Sequence, residues 1–153
     1  MQPWEPLAFS VTGADRTVGL PPLYEALAGA QAVVLALALT PRSRGLIGRK
    51  ELEVISEQAW LVNVARGALV DTGALVEALR SGQIGGAALD VTDPEPLPAG
   101  HPLWDLPNCL ITPHTADTEQ MTQPLLARRI AENVQRLITG QELVGRVDPD
   151  LGY

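Results

Sequence analysis

The run Gln31-Ala-Val-Val-Leu-Ala-Leu-Ala-Leu39 is apolar after its first residue and is closed by Thr40-Pro41. A short, unbroken apolar run bounded by turn residues reads as a strand buried on both faces of a parallel sheet. Just before it, Pro21-Pro-Leu-Tyr-Glu-Ala-Leu-Ala-Gly29 has the proline start and glycine stop of a short helix. Residues 48–55 after it read as another. Residues 60–65, Trp-Leu-Val-Asn-Val-Ala, form a second strand candidate, and Asp71 or Thr72 caps a helix over 73–80 that stops at Gly82. A third strand over 86–91 runs into the proline-broken loop Asp93-Pro-Glu-Pro96, and a fourth over 108–112 ends at Pro113-His114. Residues 119–138 are helical in pattern, with Pro124 acceptable in the first turn or at a kink. Strands alternating with helices at this spacing predict βαβ units in a doubly wound parallel sheet.

The bulk properties agree with a folded α/β chain. Of 153 residues, 46% are hydrophobic and 19% charged, while only 4% are aromatic, so aliphatic side chains must build the core. A formal net charge of −7 argues against a nucleic-acid surface, which needs clustered Lys and Arg. Cys109 is the single cysteine, which excludes an internal disulfide and a multi-cysteine metal site. Within Cys109-Leu-Ile111 it reads as a small core filler rather than a reactive thiol. No segment approaches the roughly 18 consecutive apolar residues of a membrane span. The first residues, Met-Gln-Pro-Trp-Glu-Pro, lack the features of a signal peptide, so no membrane partner and a cytoplasmic location are expected.

Ligands of open parallel sheets bind outside the carboxyl ends of the strands. The residues just past the predicted strands are Thr40 and Ser43, Arg66 and Gly67, Asp90 and Glu95, and His114. An arginine, a carboxylate and a histidine therefore share one rim. Arg66 is a permanently charged fork of donors suited to a substrate carboxylate and its neighbouring carbonyl. His114 exchanges a proton near neutral pH, as ketone reduction or alcohol oxidation requires, and Glu95 in contact with it would hold the ring. Hydride must come from a cofactor. Taken singly, each has a plainer reading: Arg66 as an ion-pair partner, Gly67 as a turn residue, Glu95 as an exposed loop acid, His114 as structural. His101, in the Pro98-Ala-Gly-His-Pro102 loop, keeps the structural reading.

Three extended motifs carry a resemblance. Asn63-Val-Ala-Arg-Gly-Ala-Leu-Val-Asp71, Ala87-Ala-Leu-Asp-Val-Thr-Asp-Pro-Glu-Pro96 and Leu106-Pro-Asn-Cys-Leu-Ile-Thr-Pro-His-Thr-Ala116 resemble, in order and spacing, the signatures of the D-isomer-specific 2-hydroxyacid dehydrogenases. Leu39-Thr-Pro-Arg-Ser-Arg-Gly-Leu-Ile-Gly48 resembles the family's preceding cofactor loop, and the similarity covers roughly residues 14–145. The resemblance implies that Arg66 binds the substrate carboxylate and carbonyl, that His114 is the general acid/base, and that Glu95 orients it. It implies Asp90 near the nicotinamide carboxamide, and Leu37, Ala38, Ser43, Val64 and Ala65 along the groove for NAD or NADP. The backbone near Thr115 and Ala116 would close over the nicotinamide. The implied reaction reduces a small 2-oxo acid to a D-2-hydroxy acid. The family usually has proline where Ala38 stands and often glycine where Asp117 stands.

No two glycines lie two apart, so the sequence holds no Gly-x-Gly-x-x-Gly, and nothing in it resembles the family's substrate domain. The expected fold is therefore the second half of a Rossmann-like domain over 14–117. An irregular leader (1–13) precedes it and a C-terminal helix and tail (118–153) follow. An uncovered edge and face would favour a homodimer. The competing expectation is a catalytically silent, truncated module for dimerisation or nucleotide sensing.

Overall fold

A computed structural model describes residues 20–149 of the chain. The expected irregular leader, residues 1–13, lies outside the described residues. Helix α1 (Leu20–Leu27) leads into strand β1 (Ala32–Leu35), followed by α2 (Arg49–Val54), β2 (Trp60–Asn63) and α3 (Thr72–Ser81). Strand β3 (Gly86–Leu89), β4 (Cys109–Ile111) and the long α4 (Glu119–Ile138) complete the order. The four strands form one parallel sheet in the order β1-β2-β3-β4, a Rossmann-like α/β arrangement.

The local signals act as their chemistry predicts. Of the two cap candidates, Asp71 caps α3 by accepting from the Ala74 amide at 3.0 Å, and Gly82 ends it in the left-handed region at φ 72°. Glu51 reaches back to the Gly48 amide at 3.0 Å and takes the Tyr24 hydroxyl at 2.9 Å, tying α1 to α2. Pro124 departs from the first-turn expectation. It lies in the second turn of α4 rather than the first, and having no N–H it leaves the Gln120 carbonyl without its helical donor.

The sheet has two unlike faces, because side chains alternate along each strand. Leu35, Leu61, Ala87 and Leu89 are buried with Leu52, Leu75 and Leu79 of the helices in one core. The opposite row, Val34–Val62–Ala88–Leu110 in register, is not covered, and Val34 and Leu110 are 61% and 58% exposed. The expectation that residues 31–39 are buried on both faces is thus corrected. The strand is four residues long and only one of its faces meets helices, since α1, α2 and α3 pack beside one another. Helix α4 has no buried residue, and Leu126, Ile130, Val134 and Leu137 along it are all more than half exposed. No described helix is long and apolar enough to cross a membrane.

Candidate active site

Because all strands run in parallel, their carboxyl ends meet at one rim, and each strand delivers one loop of candidate residues there. After β1, the Ser43 hydroxyl donates to the Ala38 carbonyl at 2.8 Å and accepts from the Thr40 amide at 2.7 Å. Ser43 is buried, so this staple fixes the loop that carries Leu37 and Ala38. Leu37 packs partly on the core, and Ala38 is exposed.

After β2, Asn63 shapes the turn. It is wholly buried, its Nδ2 donates to the Arg66 carbonyl at 2.9 Å, and its Oδ1 accepts from the Ala65 amide at 3.0 Å. Arg66 leaves this turn with extended backbone, and its guanidinium donates to the Ala65 carbonyl at 2.6 Å. Among the described residues it forms no ion pair, so its charge is uncommitted. Gly67 then passes so close to the next loop that an added Cβ would lie 2.0 Å from the Thr92 carbonyl. That contact sets the Arg66 turn against the loop bearing Glu95.

A further pairing joins the loops after β3 and β4. His114 Nδ1 is 2.6 Å from Glu95 Oε1, and both side chains are partly exposed. His114 is the one described non-glycine residue with positive φ, at 55°, and its amide donates to the Thr112 carbonyl across Pro113. Asp90, at the end of β3, is buried. It accepts from the Thr112 hydroxyl and from the Thr115 and Ala116 amides. Burial alone would raise its carboxyl, but these donors and the neighbouring His114 outweigh burial and hold it below the ordinary carboxylate range.

Two hollows flank this wall. One, of about 220 Å³, is floored by Val62, Val64, Ala88 and Leu110 and rimmed by Asp90, Thr115 and Ala116. The other, of about 320 Å³, holds Glu95, His114, Thr92, Leu97 and Trp104. Asp90 and Thr112 line both. The first has the aliphatic floor and few polar groups that suit a flat heteroaromatic ring, so the residues present fit the nicotinamide end of a dinucleotide. The glycine-rich cradle for its pyrophosphate is not in the sequence.

The rim thus joins Glu95 to His114 and brings Asp90, Val64, Thr115 and Ala116 to one hollow. Arg66, Leu37, Ala38, Ser43 and Ala65 line neither hollow. Sequence reasoning passed over Trp104 and gave Asn63 no role beyond its motif. The aromatic in Pro102-Leu-Trp104 was the available signal for the former, and a polar residue inside an apolar strand for the latter. His101 is structural: its Nδ1 accepts from the Leu103 amide at 3.3 Å, capping a 3-10 turn.

Known proteins resemble this chain in sequence and fold. The family profile described as "D-isomer specific 2-hydroxyacid dehydrogenase, NAD binding domain" matches residues 8–116. The glycerate dehydrogenase of Methylorubrum extorquens is 39% identical over 137 residues, 88% of this chain and 43% of the relative. A D-isomer specific 2-hydroxyacid dehydrogenase from Xanthobacter autotrophicus Py2, solved in complex with NADPH and MES, superposes with a TM-score of 0.77. It is 44% identical, over 88% of this chain and 55% of that one. An NADPH-dependent glyoxylate/hydroxypyruvate reductase from Sinorhizobium meliloti, solved with NADP and sulfate, is 30% identical. It also has a TM-score of 0.77, over 88% of this chain and 43% of that one. The chain spans about half the length of the curated relatives it matches. With its profile match, its parallel sheet and its rim of strand-end loops, the chain belongs to the D-isomer specific 2-hydroxyacid dehydrogenase family, within that family's NAD-binding domain.

Proposed function

We propose that this chain supplies the proton-transfer and nicotinamide-facing half of a dehydrogenase that interconverts a small 2-oxo acid and its D-2-hydroxy acid. The observation that carries the reading is the 2.6 Å contact between Glu95 and His114 at the carboxyl rim of the sheet. Glu95 occupies Nδ1, which leaves Nε2 as the nitrogen that faces substrate. In reduction, Nε2 gives its proton to the carbonyl oxygen; in oxidation it takes the hydroxyl proton back. Arg66 swings from the Ala65 carbonyl to the substrate carboxylate, where its two parallel N–H groups bind both oxygens. A bound NAD or NADP supplies or accepts the hydride at the substrate carbon. Leu37, Ala38, Ser43, Val64, Ala65, Asp90, Thr115 and Ala116 line its groove. Residues 14–117 form the cofactor part, with 118–153 as C-terminal helix and tail. Relatives named as glycerate dehydrogenase and glyoxylate reductase/hydroxypyruvate reductase support glyoxylate or hydroxypyruvate as substrate, and a similar D-lactate dehydrogenase from Lactobacillus jensenii supports pyruvate.

The test joins this chain to the N-terminal portion of the Xanthobacter relative and follows oxidation of NADH and NADPH by each oxo acid. Turnover is expected, falling about 10²–10⁴-fold in His114→Gln. Turnover that survives both His114→Gln and Arg66→Gln, or no turnover with any of the three acids, refutes the reading.

A second reading, a silent module that pairs with another copy, draws on the bare sheet row and the exposed stripe of α4. Sedimentation of the purified chain decides it: a homodimer supports pairing, and a monomer at all concentrations excludes it.

A further inference from the structure

Three donors converge on Asp90 from the segment that carries His114. The Thr112 hydroxyl (2.5 Å) and the Thr115 amide (2.8 Å) reach Oδ1, and the Ala116 amide (2.8 Å) reaches Oδ2. The donors stand on both sides of His114 in the chain. Between them the backbone passes through the left-handed region at His114, which an L-residue keeps only when its surroundings over-determine it. Glu95 does not meet that need by itself, because it is about two-fifths exposed and touches only the ring. Asp90 is 6% exposed and sits at the end of β3, beside Thr112, whose amide donates to the Leu89 carbonyl. It is the fixed point in the neighbourhood.

We propose that Asp90 is the positioning residue for His114: its carboxylate clamps the chain before and after the histidine and so aims the imidazole at Glu95. A contact from Asp90 to the nicotinamide carboxamide is compatible with this role, since three donors leave acceptor capacity on Oδ2. The clamp requires a carboxylate. An asparagine here would turn its NH2 toward the Thr115 amide in one orientation and toward the Ala116 amide in the other, setting donor against donor each time. The catalytic meaning of the clamp rests on the reading of His114 given above. The clamp itself is a matter of conformation and is read without turnover.

The chain holds two histidines, His101 and His114, so two sets of imidazole signals report on it by NMR and His101 serves as internal reference. In Asp90→Asn, the His114 ring signals are expected to broaden or move toward free-histidine positions and to lose their contact with Glu95. Amide exchange at Thr115 and Ala116 should quicken at least tenfold, with His101 and the amides of β2 unchanged. Thr112→Val removes one donor and keeps the carboxylate, so it should give the same changes in smaller measure, and it serves if Asp90→Asn fails to fold. Unchanged His114 signals and unchanged Thr115 and Ala116 exchange in a folded Asp90→Asn overturn the proposal. So does a Thr112→Val variant that disturbs His101 as much as His114. Loss of turnover with these signals intact would count against the proposed function and leave the clamp standing.

Discussion

Gly67 and Thr92 meet backbone to backbone, with no room between them for even one methyl group. The contact locks the Arg66 turn onto the loop of Glu95, and it makes glycine obligatory for steric rather than dihedral reasons. Gly67→Ala is expected to destabilise the fold by about 1–3 kcal/mol or more, because two backbones must separate. Urea unfolding measures this; a loss within roughly 0.5 kcal/mol, typical of neutral surface changes, would contradict the contact.

Asn63→Asp keeps the shape of the buried amide and removes its donor. The Arg66 carbonyl would then face a carboxylate oxygen with no water to intervene. A loss of about 1–3 kcal/mol at neutral pH is expected. Partial recovery should follow in acid, where a protonated side chain donates again. Equal stability of variant and parent at neutral pH would show that the bond contributes nothing.

Asp90 gives a pH signature with a definite sign. Its folded-state carboxyl titrates below the ordinary range. Its stabilisation is therefore complete above the unfolded value of about 3.9 and is lost as pH falls through the lower folded value. Asp90→Asn should be less stable than the parent near pH 7, and the gap should close progressively below roughly pH 4. A gap that stays constant into acid would be inconsistent with an ionised, hydrogen-bonded Asp90.

Burial pushes the Cys109 thiol up to about 11. Only roughly one molecule in a thousand then carries thiolate at pH 8, against about a quarter for a free cysteine. Alkylation by iodoacetamide should therefore be slower in the native chain than in urea by on the order of a hundredfold. Comparable rates in both states would place the thiol in an open, polar setting.

What the sequence discloses here is what local pattern controls. The four strands, the Asp71 cap, the Gly82 stop and the span of α4 follow from apolar runs and capping chemistry. The meeting of Glu95 and His114 was approachable too, since parallel strands must bring their ends together. Facts set by distant partners were not legible. Val34 looks as buried as Leu35 from within its own run, and only the placement of the helices on one side separates them. Gly67 looks like any turn glycine until Thr92 is seen against it. Asn63 and Asp90 sit quietly inside motifs, and their work appears once the loops they hold are in place. Pro124 shows the reverse case, where a strong local breaker is overridden within a long helix.

The consecutive order of the strands has a consequence for how the molecule comes into being. Each strand pairs with the one made just before it, so no strand must wait for a later neighbour to fill a gap. In order of synthesis, each of β2, β3 and β4 adds to the same edge of the described sheet. Most of the apolar core comes from residues that precede β4, and Leu103 joins it from the stretch between β3 and β4. His114 follows the final strand, so its ring meets Glu95 only at the end of that growth. The strands that carry Asn63 and Asp90 are thus made before the histidine, and a nascent chain stalled short of β4 holds Glu95 without its partner ring.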